Sequence, residues 1–316
     1  MPKTRSPAFA PTGRVRRCIA VILAFVVPCM FIAAGQDAGL RGRARAINRA
    51  TPMASGSSLI VSNPLGSVEI RTRDLEQLSV QARIVGDAAN SVGLALNPRG
   101  GGLEIIVTGG MGRRVFGPPR MARCDLTIYA PKRIRAGIKT VNGTIEVTGI
   151  DGQARCESIN GAIRLIDISG EIDAKTTTGG ITATGLTPTV WERGQPTRFS
   201  GLRAVSVNGS IELENILGSI RANTTHGRIS AKSLAGRDET ISLESISGSL
   251  SIESVRPNTE VAMQTIAGKI DIQAPSFNIV EEGRNTKTVL LTGRLVRPAP
   301  VQKISMRTVS GNIVVK

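Results

Sequence analysis

Thr140-Val141-Asn142-Gly143-Thr144-Ile145-Glu146-Val147 recurs with the same chemistry as Ser158-Ile159-Asn160-Gly161-Ala162-Ile163-Arg164-Leu165 and as Ser206-Val207-Asn208-Gly209-Ser210-Ile211-Glu212-Leu213. Aligning the chain on Gly143, Gly161, Gly179, Gly209, Gly227, Gly248, Gly268 and Gly311 turns the likeness into a positional code. Three residues before each glycine stands a hydroxyl: Thr140, Ser158, Thr176, Ser206, Thr224, Ser245, Thr265 and Thr308. Two residues after it comes Ile145, Ile163, Ile181, Ile211, Ile229, Leu250, Ile270 or Ile313. Four after come Val147, Leu165, Ala183, Leu213, Ala231, Ile252, Ile272 and Val315, with no polar member. Seven and five residues before the glycine are apolar too, as in Ala136/Ile138, Ile172/Ala174 and Ile304/Met306.

The residues between these positions are polar or small (Glu146, Arg164, Glu212, Asp271), so each arm alternates with period two, one face inward and one in solvent. That is the pattern of short strands. The preceding residue is often Asn (Asn142, Asn160, Asn208), and Asn-Gly predicts a tight corner with positive φ. Secondary corners fall nine residues later, at Gly152, Gly170, Gly218 and Gly236, with Pro188 in the same place. Two arms and their corners make a coil of about 18 residues, and a coil buries its apolar face only by stacking on another at ~4.8 Å. The fold class expected is all-β, a β-solenoid, with repeats over residues 136–316. Wider glycine spacings mark an extra loop around Leu186–Arg198 and an irregular segment, Ala274–Val301, expected to be a degenerate coil with an excursion. An earlier copy begins in phase at Leu59, Val61, Gly66, Val68 and Ile70. Longer alternating strands follow, such as Leu78–Ile84 and Leu103–Val107, so residues 58–135 read as an N-terminal β region that caps the open edge of the stack. Residues 36–57, with Arg41, Arg43, Arg45 and Arg49, read as a flexible basic leader.

Composition agrees: 41% of the 316 residues are hydrophobic but only 3% aromatic, with 35 glycines, which suits a core of Val, Ile, Leu and Ala. The first 35 residues carry Lys3, Arg5, Arg14, Arg16 and Arg17, an apolar run from Cys18 to Gly35, and Ala33-Ala34-Gly35 before Gln36. This is the plan of a secretory signal peptide over residues 1–35. The alternative is an uncleaved N-terminal anchor, its length near the lower limit for spanning about 30 Å of hydrocarbon. Either places the repeats outside the cytoplasm, in the periplasm, at the cell surface or beyond, with membrane contact only through an uncleaved segment. Without those five basic residues the chain still holds 35 basic against 24 acidic side chains, a surface that attracts anionic polysaccharide, an envelope component or another protein. Cys124 and Cys156 lie beyond the signal, in a compartment that permits a disulfide, yet both fall in the apolar phase of strands, where free thiols act as small hydrophobes.

Ser62-Asn63-Pro64-Leu65-Gly66-Ser67-Val68-Glu69-Ile70, then Tyr129-Ala130-Pro131, then the serial hydroxyl-x-x-Gly-x-Ile/Leu pattern resemble the bacterial putative-adhesin family, over about Ala54 to Lys316. The resemblance implies a right-handed single-stranded β-helix, exported or tethered, of a family with no defined functional residues; none is carried over.

Few residues point to chemistry. Glu212 and Glu214 share one outward face, about 7 Å apart along an extended strand, a spacing paired carboxylates use in glycoside hydrolysis but one that alternation produces freely. His226, the only histidine, stands where Asn142, Asn160 and Asn208 stand in other coils, which makes it a turn residue. His/Cys clusters with metal-ligand spacing are missing, and Gly109-Gly110-Met111-Gly112 is followed by Arg113-Arg114 where a calcium-binding repeat needs Asp. Nucleic-acid binding lacks the aromatic rings of a stacking platform. The best anionic-ligand candidates are Arg113, Arg114, Arg120 and Arg123, in the Gly/Pro-rich stretch Gly109–Arg123. Trp191 could stack on a sugar ring. The function expected is a noncatalytic exported surface scaffold without cofactors; the alternative is a carbohydrate-active enzyme on an anionic glycan, by fold analogy.

Overall fold

The computed structural model describes residues 44–112, 120–187, 201–234, 240–253, 259–273, 278–283, 286–291 and 302–316. Period-two alternation gives each coil a long arm and a short arm. Around Gly161 these are Asp151–Asn160 and Ile163–Ile166. Ala154 and Cys156 point inward from the first, Ile163 and Leu165 from the second, and all four are buried. The long arms form one sheet and the short arms another, each of thirteen strands among the described residues, with one aliphatic core between them. Like residues stack in parallel register: Cys156 pairs with Ile138 and Ala174, Ile163 with Ile145 and Ile181.

The corner glycine has a different cause from the one its Asn-Gly dipeptides suggest. Of the eight aligned glycines only Gly179 has a positive φ. What each meets is the backbone of the coil beneath: a Cβ on Gly161 would lie 1.9 Å from the Gly143 carbonyl oxygen, on Gly227 2.2 Å from that of Gly209, on Gly248 1.8 Å from that of Gly227. No side chain fits between corners stacked this closely. The hydroxyl three residues earlier completes the contact. Thr176 donates to the carbonyl of Gly161 at 3.0 Å, Ser206 to Gly179 at 3.1 Å and Thr224 to Gly209 at 3.1 Å. These hydroxyl residues are buried, and each supplies the donor that a corner carbonyl would otherwise lack. In the first coil Asn63 takes the position, its amide donating to Gly66 and to Cys124 at 3.2 and 2.8 Å; the Thr140 hydroxyl above it has no partner.

Positive φ belongs to the second corner. Six residues after the aligned glycines come Gly149, Asp167, Gly185, Asn215 and Ser233, with φ between 51° and 78°. Gly, Asp and Asn adopt this left-handed conformation most readily, and the step turns the next residue inward. Ile150, Ile168, Leu186, Ile216 and Leu234 thereby form a further buried column, none more than 3% exposed.

The stack departs from chain order at both ends. Gln302–Ser310 lies between Thr240–Ser247 and Thr259–Ala267, and Ile313–Val315 between Leu250–Glu253 and Ile270–Ile272. The relay follows space rather than sequence: Thr308 donates to Gly248 and Thr265 to Gly311, both at 3.1 Å. Within Ala274–Val301, expected to hold a degenerate coil, Asn278–Gly283 and Thr286–Leu291 form an antiparallel hairpin on Thr259–Ala267. At the other end Ser58–Leu65 and Val68–Arg73 are a true coil below Arg133–Asn142 and Ile145–Thr148. Beneath it lie Gly102–Thr108 and Arg120–Pro131, then the antiparallel strands Gly93–Arg99 and Gln77–Gly86, the expected cap. Ala44–Pro52, expected within a flexible leader, is instead an edge strand in continuous antiparallel register with Gln77–Gly86. Ile47 packs on the core, and the exposed Arg45 and Arg49 mark this edge against further strand addition.

Thr224→Val keeps the shape of the side chain but strands the Gly209 carbonyl, and is expected to lower the unfolding free energy in urea by about 1–3 kcal/mol. Thr224→Ser, which keeps the donor, should lose less. Gly227→Ala should cost more than either, because the obstacle is backbone.

Candidate functional site

Because inward positions are spent on the core, chemistry is confined to the outward ones. On the short-arm sheet these form a groove of about 570 Å³, lined by Thr182, Glu212, Glu214, Arg228, Lys232 and Glu253 with Ser230 and Ser251 between them. Its shape follows from register. Glu212, Ser230 and Ser251 are successive cross-strand neighbours, so two short side chains follow a long one; Glu214, Lys232 and Glu253 form the next column. Glu253 is held between Lys232 and Lys316 at 3.4 and 3.6 Å. Glu212 and Glu214 do share the outward face and are exposed. The arrangement gathers hydroxyls, carboxylates and cations on one outward face.

The long-arm sheet is outwardly charged and partly self-neutralised. Lys139 pairs with Glu157 at 3.0 Å, Arg155 with Glu157 at 3.0 Å and Lys175 with Asp173 at 2.9 Å. Hydrogen bonding from Lys139, then from Arg155, holds the Glu157 carboxyl below the usual range despite its partial burial. Exposed pairs of this kind add little stability.

One feature of this sheet escaped the sequence reading. Two residues before the corner glycines stand Val141, Ile159, Val207, Ile246, Ile266 and Val309, between 39 and 64% exposed. The signal was present in the alignment, as a β-branched residue in the outward phase where charge or hydroxyl is ordinary.

Arg113, Arg114 and Trp191 lie outside the described residues, as do the apolar run Cys18–Gly35 and Glu192. Arg120 opens the strand Arg120–Pro131, its side chain outside the description. Arg123 is engaged by Asp125 at 2.7 Å, and Asp125 also accepts from the Ser67 amide and hydroxyl at 2.9 Å each. His226 is an exposed corner residue whose carbonyl accepts from Gly209 N–H. Among the described residues no group of three His, Cys, Asp or Glu is placed to hold a metal ion, and no helix is long and apolar enough to cross a membrane.

Cys124 and Cys156 are both free and buried, so the disulfide that the sequence left open is not formed. Cys124 points inward from a strand three places from Ile163–Ile166, the short arm of the coil that carries Cys156. Three steps of ~4.8 Å put the two roughly 14 Å apart, beyond the ~7 Å Cα reach of a bridge. Burial, with Asp173 nearby, pushes the Cys156 thiol up to about 12, and burial, with Asp125, pushes Cys124 up to about 11. Both should therefore resist a thiol reagent at pH 8 in the folded protein and react once urea unfolds it, as peptide mass mapping would show. The unfolded thiols ionise near their ordinary value of 9 while the folded ones stay protonated. Stability should accordingly fall as the pH rises above about 9.

No protein-family description matches the sequence, and no curated protein matches it. Solved structures do resemble it. A putative adhesin from Bacteroides fragilis is 14% identical with a TM-score of 0.44, the match covering 86% of this chain and 97% of that one. A putative lipid binding protein from Parabacteroides distasonis is 13% identical with a TM-score of 0.43, covering 86% and 98%. A putative cell adhesion protein from Clostridium sporogenes is 10% identical with a TM-score of 0.27, covering 86% and 99%.

Proposed function

We propose that this chain is an exported, noncatalytic interaction scaffold of the bacterial envelope or surface. In this reading it is a right-handed single-stranded β-solenoid with coils of about 18 residues, and its outer faces hold a partner. The observation that carries the reading is the division of labour within each coil. Inward columns repeat one aliphatic set and one hydroxyl, while the outward column through Glu212, Ser230 and Ser251 changes from coil to coil and opens the groove on the short-arm sheet. Packing fixes the first set and leaves the second free, so the second is the set available to a partner. The N-terminal signal pattern supports delivery outside the cytoplasm, and the excess of basic residues supports an anionic polysaccharide, an envelope component or another protein as partner.

A second reading, a carbohydrate-active enzyme on an anionic glycan, is favoured by one observation, the placement of Glu212 and Glu214 on that groove. Two assays separate the readings. A glycan array at low and high salt should show salt-sensitive binding that Arg228→Ala and Lys232→Ala weaken severalfold, without release of reducing ends or unsaturated products. Product release that Glu212→Gln abolishes would establish the enzyme instead, and absence of binding to any envelope glycan or protein would end the scaffold reading.

A further inference from the structure

The exposed column on the long-arm sheet is a ladder with aliphatics at six of its eight places and threonines at the other two. In stacking order it runs Val141, Ile159, Thr177, Val207, Thr225, Ile246, Val309, Ile266. Seven strand spacings of ~4.8 Å make it roughly 34 Å long. An apolar strip of that extent on a polar sheet is an interaction surface. No coil gains or loses a residue from the hydroxyl to four beyond the glycine, so the ladder keeps one register throughout.

The charges beside the ladder identify its occupant. Four residues before the glycines, in the same order, stand Lys139, Glu157, Lys175, Val205, Asn223, Glu244, Arg307 and Gln264. From one end the signs read positive, negative, positive, neutral; from the other, neutral, positive, negative, neutral. A second copy turned end for end, about an axis along the strands between Val207 and Thr225, sets Glu157, already held by Lys139 and Arg155, against the partner's Arg307, and Lys175, already held by Asp173, against the partner's Glu244, so that each intrachain pair joins a wider network. By symmetry each pair forms twice. The same turn seats aliphatics on the ladder's low points: Ile246 faces the partner's Thr177, and Val207 faces the partner's Thr225. The recess of about 490 Å³ bounded by Val207, Asn223, Thr225, Ile246, Ile266 and Val309 receives that valine. Ile159 then faces the partner's Val309, and Val141 the partner's Ile266.

We propose that two copies of this chain associate face to face and antiparallel through this ladder. A contact of roughly 34 Å by 20 Å, about 700 Å² per partner, is close to the ~800 Å² of a standard stable interface. Arg203 opposite the partner's Arg221, in the column six residues before the glycines, is an unfavourable term at the margin of the contact. The groove on the short-arm sheet stays open on both outer faces of the pair, so the dimer would be bivalent whatever the groove holds.

Sedimentation equilibrium of the full chain, with Cys18 and Cys29 changed to Ser, should give twice the 33.3 kDa monomer mass at micromolar concentration. Ile246→Arg should give a monomer with an unchanged circular dichroism spectrum, the residue being 54% exposed, and a thermal midpoint that no longer depends on protein concentration. Lys175→Glu should weaken association at least tenfold, and adding Glu244→Lys should restore it. Ile159→Cys with Val309→Cys should trap a covalent dimer under mild oxidation, since five strand spacings, about 24 Å, separate the two positions within one chain. Neither single variant should do so. A wild-type monomer, a dimer indifferent to Ile246→Arg, a failed charge rescue, or efficient cross-linking by Ile159→Cys by itself would overturn the proposal.

Discussion

Everything in this molecule hangs on one contact, the approach of a corner glycine to the carbonyl of the corner below. It brings successive coils so close that no side chain fits between them, as the 1.9 Å separation from a hypothetical Cβ on Gly161 shows. It also leaves a buried carbonyl in need of a donor, which the hydroxyl three residues earlier provides. The two columns are therefore one device: the glycine permits the stack and the hydroxyl satisfies it. Where the device ends, parallel stacking ends too. Cys124 occupies the glycine's place in Arg120–Pro131 because the strand beyond it, with Ile84 opposite, is antiparallel and sends no corner backbone toward it.

This constraint also explains why chemistry is displaced to the outer faces. Between the sheets nearly every position is claimed by an apolar side chain, Thr259 and Gln302 being polar exceptions, and the corners by glycine and hydroxyl. What differs between coils is outward: carboxylates and serines on the short-arm sheet, ion pairs and the aliphatic ladder on the long-arm sheet. The two faces therefore differ in chemistry, one polar and mixed in charge, the other carrying an aliphatic ladder between charged columns.

Much of the fold was legible because the code is local. Alternation around Ile138, Ile145 and Val147 named the inward residues, and Glu212 and Glu214 were rightly placed on one outward face. The column at Ile150, Ile168 and Ile216 was overlooked because only the glycines at 152, 170 and 218, which do have positive φ, stand out in the alignment, whereas the step that turns the column inward comes three residues earlier at positions of no common type, Gly149, Asp167 and Asn215. Stacking order was not legible for a more basic reason. Coils with the same code fit one another equally well, so nothing in residues 302–315 says that their neighbours are Thr240–Glu253 on one side and Thr259–Ile272 on the other. Nor could the pairing of Arg123 be read from its loop, since Asp125 is oriented by Ser67, 58 residues away.

The coil spliced between its predecessors has a temporal meaning. A chain made from its N-terminus can zip its coils one upon another as far as Glu253, but Thr259–Ile272 then arrives before the coil on which it rests. Its inward Val261 and Met263 have no floor until Gln302–Val315 appears and slides into the vacant storey. Assembly of this end is thus conditional on the arrival of residues made afterwards. A product interrupted anywhere before Ile304 would keep an unfilled storey, an apolar gap for a quality-control protease to find.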